Sequence, residues 1–195
     1  MGRPFQTILE EIKACQICAD KLAHAPNPVV SVSEKSKILV IGQAPGTKVH
    51  NSGIPWDDAS GKNLRNWLGV TDKEFYNTDY FGIVPMGFCY PGKGKSGDLP
   101  PRPECAPQWH KQVFDHLEGV ELTILIGLYA QQYYLGDKKE KTLTETVAKF
   151  DTYLPEFLPL VHPSPRNGIW MRKNPWFVEQ VVPELQRIVK KVMAK

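Results

Sequence analysis

The chain contains short apolar runs that are followed at once by glycine-rich or proline-rich sequence. Residues 37–41 (KILVI) and residues 122–126 (LTILI) have the length of a buried strand, and glycine follows each of them. Strands that are apolar on both faces are typical of a parallel sheet covered by helices on both sides. Further strands are predicted near residues 80–86 and at residues 158–161. The pattern therefore predicts a central, four-stranded parallel sheet.

Segments with the apolar spacing of helices alternate with these strands. Ser60 is placed to cap a helix whose apolar side carries Leu64 and Trp67. Further helices are predicted over residues 5–14, 104–118, 128–135, 142–150 and 175–192. Pro183 lies inside the last of these helices and is expected to kink it. The alternation, without an internal repeat, predicts a single α/β domain over residues 1–195, with helices flanking the sheet.

The composition excludes some classes of protein. Of the 195 residues, 42% are hydrophobic, which suits a chain that buries one core. No apolar run approaches the roughly 20 residues that a membrane-spanning helix needs. The first residues carry acidic side chains and lack the apolar region of a signal peptide, so a cytoplasmic location is expected. The formal net charge of +3 is too small to indicate nucleic acid by itself.

The most unusual sequences follow the predicted strands. They are residues 42–46 (GQAPG), residues 87–97 (GFCYPGKGKSG) and residues 162–167 (HPSPRN). The segment 90–103 is rich in Gly, Pro and Lys and is predicted to be a loop. In open α/β sheets, ligands bind beyond the carboxyl ends of the strands. The three segments therefore indicate where a site lies, without indicating its chemistry.

The four cysteines are spaced as metal ligands often are. Cys15 and Cys18 form a C-x-x-C pair near the start of the chain, and Cys89 and Cys105, with fifteen residues between them, follow the second strand. Disulfides are not expected in a cytoplasmic chain. Four thiolates can hold a [4Fe–4S] cluster or a tetrahedral zinc ion. Free buried thiols are the remaining alternative, and the sequence alone does not separate the three.

Two of these segments together resemble the uracil-DNA glycosylase superfamily. Its members carry a G-[QE]-x-P motif at a strand end and a later H-P-S-P or similar motif after the last strand. This chain has residues 41–46 (IGQAPG) and residues 162–167 (HPSPRN) in that order, each after a buried strand. Residues 53–56 (GIPW) are similar to the family's G-x-P-F. The resemblance covers about residues 15–192 and is closest to the iron–sulfur branches.

The resemblance implies a DNA glycosylase that hydrolyses the N-glycosidic bond of uracil or of another damaged or deaminated base. His162 then corresponds to the histidine that donates to the departing base. Gln43 and Ala44 would hold base carbonyls through their backbone N–H groups. Trp56 would stack on the flipped base, a contact worth roughly 1–3 kcal/mol. The implied partner is DNA with a damaged or deaminated base, and we expect a monomer that does not contact a membrane.

The general base is assigned through a second match to the family. The best-known branch has an aspartate directly after the glutamine of its first motif, where this chain has Ala44. One iron–sulfur branch instead places an aspartate beside an S-G pair that opens the next helix. Asp58 matches that arrangement and would orient the attacking water, with Asp57 as the substitute. The chain departs from the family at Pro85, where many members carry an asparagine that contacts the uracil edge.

The resemblance also implies residues that hold the DNA and the cofactor. Arg166 follows H-P-S-P and would enter the gap left by the flipped nucleotide. The predicted DNA-binding residues are Lys93, Lys95, Arg102, Ser164, Arg166 and Asn167. The family favours a [4Fe–4S] cluster on the four cysteines, with zinc as the alternative. Two other functions stay open: a non-catalytic DNA-binding or nucleotide-binding protein of the same fold, and a zinc-stabilised protein with a small-molecule pocket.

Overall fold

The structure, a computed structural model, describes residues 3–95 and 97–195. Its strands are β1 (Ile38–Ile41), β2 (Phe81–Ile83), β3 (Lys93–Gly94), β4 (Gly97–Asp98), β5 (Leu122–Ile126) and β6 (Phe157–Leu160). Four of them form one sheet in the order β2-β1-β5-β6, and every neighbouring pair is parallel. The predicted four-stranded parallel sheet is therefore confirmed, and its strands lie within a few residues of the predicted positions.

Helices connect the strands. They are α1 (Phe5–Lys13), α2 (Thr47–Ser52), α3 (Ala59–Leu68), α4 (Asp72–Phe75), α5 (Cys105–Phe114), α6 (Leu128–Leu135), α7 (Leu143–Ala148), α8 (Gly168–Lys173) and α9 (Val182–Met193). The predicted helices correspond to α1, α3, α5, α6, α7 and α9, whereas α2, α4 and α8 were not predicted. No helix among residues 3–95 and 97–195 is long and apolar enough to cross a membrane.

Both faces of the sheet are buried, and alternate residues of β1 show how. Ile38 and Val40 are fully buried in a cluster that includes side chains of α3 and α9. Leu39, which points to the opposite face, packs in a second cluster with side chains of α1 and α5. Because successive side chains of a strand alternate between its faces, an uninterrupted apolar strand must be covered by other side chains on both faces. The flanked α/β architecture is thus confirmed.

The start of α3 differs from the prediction. The residue that caps this helix is Asp58, whose Oδ1 accepts a hydrogen bond of 2.7 Å from the backbone N–H of Gly61. Ser60 lies inside the first turn, so its prediction as the cap was wrong. The spacing explains the outcome, because a capping oxygen binds the N–H two or three residues further along. Asp58 stands at that distance from Gly61.

Part of the segment 90–103 is also more regular than predicted. Strands β3 and β4 form an antiparallel pair in which Lys93 is opposite Asp98 and Gly94 is opposite Gly97. The prediction of a loop throughout was wrong at these positions. Strands of two residues are too short to show an alternating apolar pattern, and the pair is exposed along much of its length. Ser96, between these strands in the sequence, lies outside the described residues.

The C-terminal helical region accommodates Pro183 at a change of helix type. Residues Phe177–Val181 are π-helical, and α9 begins at Val182 with Pro183 in its first turn. Proline lacks an N–H group, and the first turn is where that group has no intrahelical partner. The region predicted as one helix over residues 175–192 therefore contains a π-helical segment followed by α9, with Pro183 near their junction.

Candidate active site

A cavity of about 180 Å³ opens beyond the carboxyl ends of β1, β2 and β6. Five of the residues predicted from the sequence line it together: Gln43, Ala44, Trp56, Asp58 and His162. A cavity of about 150 Å³ is sufficient to hold benzene, so this one has room for a single aromatic ring. The cavity lies at the edge of the sheet where the sequence predicted a site.

Trp56 has an unusual backbone conformation at this cavity. Its φ of 57° makes it the one non-glycine residue with positive φ among residues 3–95 and 97–195. Its ring lies against Gly42, where an added Cβ would be 2.9 Å from the ring carbon Cζ2. The centres of the Trp56 and His162 rings are 5.8 Å apart, at an interplanar angle of 35°. The two rings therefore belong to the same small chamber.

The conformation of Trp56 is held by its neighbours. Nη1 of Arg65 donates to the carbonyl oxygen of Trp56 at 3.3 Å, and the Tyr76 hydroxyl donates to the carbonyl oxygen of Pro55 at 3.1 Å. Gly61 leaves the space into which the Trp56 carbonyl projects. Strained backbone persists where surrounding contacts over-determine it, and such sites are often functional. The strained backbone of Trp56 thus coincides with the position of its ring at the cavity.

His162 stands at the mouth of the cavity. The residue is exposed, but the surrounding protein partly shields its imidazole from bulk solvent. This shielding lowers the pKa of His162, whereas the nearby carboxylates of Asp58 and Asp98 act to raise it. A histidine with a pKa below its ordinary value is neutral at neutral pH and carries one N–H donor. His162 can therefore donate a hydrogen bond into the cavity without carrying a charge.

The loop that carries His162 is fastened by side-chain amides. Nδ2 of Asn167 donates to the carbonyl oxygen of His162 at 2.6 Å, and Nδ2 of Asn63 donates to the carbonyl oxygen of Pro163 at 3.0 Å. The Ser164 hydroxyl accepts from the backbone N–H of Arg166 at 3.2 Å. Ser164 and Asn167 thus shape the loop, whereas the Arg166 side chain is exposed beside it.

The remaining predicted site residues occupy different surroundings. Asp58 is half-buried, and one of its carboxylate oxygens caps α3. Nε2 of Gln43 donates to the carbonyl oxygen of Leu99 at 3.0 Å, which joins the loop after β1 to the chain after β4. Asp57 is exposed and is not among the residues that line the cavity. The geometry therefore favours Asp58 over Asp57 at this site.

The sequence did not predict two polar residues that shape the cavity. Asp98 lines it from β4. His110, with 2% of its surface exposed, lies behind the wall: its Nε2 donates to the carbonyl oxygen of Pro85 at 2.9 Å, and its Nδ1 accepts from the Tyr134 hydroxyl. Burial lowers the pKa of His110 to about 4. No local pattern marks either residue, since both reach the site through tertiary contacts.

The four cysteines meet at a second place. Cys15, Cys18, Cys89 and Cys105 all line one cavity of about 20 Å³. Burial raises the pKa of Cys89 to about 11 and that of Cys105 to about 12. In this geometry, no group of three or more His, Cys, Asp or Glu side chains within residues 3–95 and 97–195 is arranged to hold a metal ion. The fold therefore brings the four cysteines to one cavity.

The basic residues predicted to bind DNA differ in exposure and in ion pairing. Lys93 and Lys95 are exposed on the β3–β4 hairpin. Arg102 also lines the cysteine cavity, and its guanidinium donates to both carboxylate oxygens of Glu104, at 3.2 and 2.8 Å. Lys21 donates to the same carboxylate at 2.6 Å. Arg102 is therefore already engaged in an ion-pair network beside the cysteines.

The fold and the cavity together define an α/β protein with a base-sized site at the carboxyl edge of its sheet. The family model of the Uracil DNA glycosylase superfamily matches residues 30–186, which is most of the chain. The protein therefore belongs to the Uracil DNA glycosylase superfamily. The match includes both motifs at the cavity, whereas Cys15 and Cys18 lie before it. Assignment to the iron–sulfur branch stays a prediction.

Proposed function

We propose that this protein is a DNA glycosylase that hydrolyses the N-glycosidic bond of uracil, or of another damaged or deaminated base, flipped out of DNA. The observation that carries the proposal is the placement of the Trp56 and His162 rings 5.8 Å apart at a cavity with room for one aromatic ring. Membership of the superfamily supports the same reaction class. An enzyme that acts on a base must first remove it from the duplex stack.

Trp56 and the loop after β1 would hold the base. The indole of Trp56 offers a flat apolar surface for stacking, and Gly42 allows the ring to lie close to the end of β1. Backbone N–H groups of Gln43 and Ala44 would donate to base carbonyl oxygens. Stacking is tolerant of base identity because every base has an aromatic face. Selectivity must therefore come from the polar groups around the edge of the base.

The chemistry assigns different roles to His162 and Asp58. In the reaction the bond between C1′ of the sugar and the base nitrogen breaks, and the oxygen of a water molecule bonds to C1′. The electron pair of the broken bond leaves with the base, and negative charge develops on a base carbonyl oxygen. The neutral imidazole of His162 would donate a hydrogen bond to that oxygen. Asp58 would orient the water and accept its proton.

Contacts with the rest of the DNA follow from the position of the cavity. Arg166 would enter the space that the flipped nucleotide leaves, with Ser164 and Asn167 beside it. Lys93 and Lys95 are exposed on the hairpin that borders the cavity, and Arg102 follows that hairpin. Basic side chains at such positions would contact phosphates, which orient the protein on DNA without distinguishing its sequence.

The cofactor that we propose is a [4Fe–4S] cluster on Cys15, Cys18, Cys89 and Cys105, with zinc as the alternative. Four thiolates are the ligand set of a [4Fe–4S] cluster, and four thiolates would also suit a zinc ion. The cluster would act as a structural link between the N-terminal region and the segment after β2. With it we propose the iron–sulfur branch, a cytoplasmic location and a monomer.

A second function is favoured by one observation. Pro85 lines the cavity where the family resemblance leads us to expect an asparagine that contacts the base edge, and proline has no side-chain donor or acceptor. The alternative is therefore a non-catalytic protein of the same fold that binds DNA or a nucleotide and keeps the metal centre for stability.

A glycosylase assay separates the two functions. Single-stranded and double-stranded oligonucleotides that contain uracil, hypoxanthine or xanthine are incubated with excess protein, and abasic sites are measured by alkaline cleavage. We expect excision of at least one of these bases, and its loss in His162→Ala. Binding of the same oligonucleotides without excision of any base would support the non-catalytic alternative.

A further inference from the structure

The exposed side chain of Asp98 lines the same cavity. Asp98 belongs to β4 and is one of the residues that line the cavity. An added Cβ on Gly46 would lie 3.4 Å from Oδ2 of Asp98, so this carboxylate reaches the loop after β1. Its charge also acts on the imidazole of His162. Asp98 therefore lies close to the loop after β1 and to His162, and both of these are proposed to bind the base.

The chain directly after Asp98 is held by two hydrogen bonds of Leu99. Leu99, the next residue, donates from its N–H to the carbonyl oxygen of Gly92 at 2.9 Å and accepts from Gln43 at 3.0 Å. Within residues 3–95 and 97–195, no protein group donates a hydrogen bond to the Asp98 carboxylate. Asp58 differs, because it uses Oδ1 to cap α3. Asp98 is thus a positioned acceptor with free capacity.

The wall at Pro85 offers no comparable group. The proline side chain has neither donor nor acceptor, and its carbonyl oxygen already accepts from Nε2 of His110. A side-chain acceptor for the edge of a bound base is therefore available at Asp98 and not at Pro85.

We propose that Asp98 determines base specificity by accepting a hydrogen bond from a ring N–H of the flipped base. This inference rests on the proposed glycosylase function. Deamination converts the acceptor ring nitrogen of cytosine or adenine into an N–H donor beside a new carbonyl, as in uracil and hypoxanthine. A carboxylate accepts from that N–H and repels the lone pair of the undamaged base. Guanine and thymine carry such an N–H too, so Asp98 separates deaminated bases from cytosine and adenine only.

The test removes the two partners of the proposed hydrogen bond separately. Oligonucleotides contain uracil or N3-methyluracil, and hypoxanthine or N1-methylhypoxanthine, and single-turnover excision is measured for the wild type, Asp98→Ala and Asp98→Asn. Asp98→Ala should slow excision of the unmethylated base by about 10- to 100-fold, the usual range for a hydrogen bond to a charged group. Asp98→Asn, which keeps a neutral acceptor, should fall between. Asp137→Ala, an exposed aspartate after α6, is the matched control.

The ratio of rates for unmethylated and methylated base carries the result. It should fall toward one in Asp98→Ala, and a preference that survives unchanged in that variant overturns the inference. Equilibrium binding of the same oligonucleotides measures the preference without cleavage. A wild type that excises no base but still prefers the unmethylated oligonucleotides through Asp98 would contradict the glycosylase function alone. Excision that is indifferent to Asp98 would contradict the specificity role alone.

Discussion

The carbonyl oxygen of Trp56 lies only 1.8 Å from the position that a Cβ atom on Gly61 would occupy. The first turn of α3 therefore touches the backbone of the residue whose ring is proposed to stack on the base. Gly61 has no positive φ to explain its presence, so the requirement at this position is space. The contact links the cap of α3, formed by Asp58 and Gly61, to the left-handed conformation of Trp56.

The first prediction concerns this contact. Gly61→Ala should displace the Trp56 backbone, because the atom that the new Cβ would meet is the Trp56 carbonyl oxygen, which is main chain and cannot rotate away. We expect a loss of about 1–3 kcal/mol in the free energy of unfolding, as for other overpacked sites, and a larger loss of base excision. Urea unfolding and single-turnover excision measure the two effects. Gly119→Ala is the control, since nothing lies within 4 Å of a Cβ there. Normal excision by Gly61→Ala would contradict the proposed role of the Trp56 ring.

The second prediction concerns the cofactor. Anaerobically purified protein should be brown and contain about four irons per chain, because four thiolates are the usual ligands of a [4Fe–4S] cluster. Cys105→Ala should lose the colour and most of the iron, as measured by visible absorption and metal analysis. Colourless protein with one zinc per chain would favour the alternative centre. Protein with neither metal would leave the four cysteines as free thiols.

The third prediction contrasts two kinds of DNA contact. Lys93→Ala and Lys95→Ala should each reduce the salt dependence of binding by a slope of about one, since each removes one phosphate contact. Arg166→Ala should instead weaken binding to duplex with an abasic nucleotide more than binding to intact duplex. Fluorescence anisotropy over a salt series measures both effects, with Lys190→Ala on α9 as the control. Equal losses on intact and abasic duplex would argue against insertion of Arg166.

The sequence predicted what local pattern determines and missed what tertiary contact determines. Apolar runs such as residues 122–126 marked the sheet, because a strand buried on both faces consists mostly of apolar residues. Trp56 and His162 were predicted at the site because residues 53–56 and 162–167 resemble motifs of the family. Asp98 has no such mark: β4 is two residues long, and its place depends on the contact between Gln43 and Leu99.

Helix ends show the same distinction on a smaller scale. Thr71 and Glu74 form a complete capping box at the start of α4, and its T-x-x-E spacing is a local signal in the sequence. At α3, by contrast, Asp58 and Ser60 are both suitable capping residues. Only the position of the first helical turn decides between them, and that position depends on the packing of Gly61 against Trp56.

The fourth prediction uses the buried histidine behind Pro85. The pKa of His110 is lowered to about 4 by burial, so the unfolded chain binds a proton at this residue between pH 6.5 and 4 and the folded chain does not. Stability is therefore full above pH 6.5 and falls with pH through that window, by about 2 kcal/mol at pH 5. Urea unfolding at pH 7 and pH 5 should show this loss, and His110→Gln should lack it. An equal fall in both proteins would place the titration elsewhere.

The last prediction orders the two catalytic roles. His162→Ala should reduce single-turnover excision by about 10²–10³, the usual cost of losing a donor to developing negative charge. Asp58→Asn should cost less, because cleavage of the glycosidic bond passes through a cation-like state that needs little push from the nucleophile. DNA affinity should change little in either variant. A larger loss in Asp58→Asn would reverse the assigned order of importance.

The pH profile distinguishes how His162 acts. Its pKa is lowered by the surrounding protein and raised by the charges of Asp58 and Asp98. If the neutral imidazole is the donor, excision is full above its pKa and falls as the pH decreases through it. Asp58→Asn removes a charge that raises this pKa, so the acid limb of the remaining activity should move to lower pH. Excision that instead increases as the pH falls below 6.5 would show that the imidazolium is the active form.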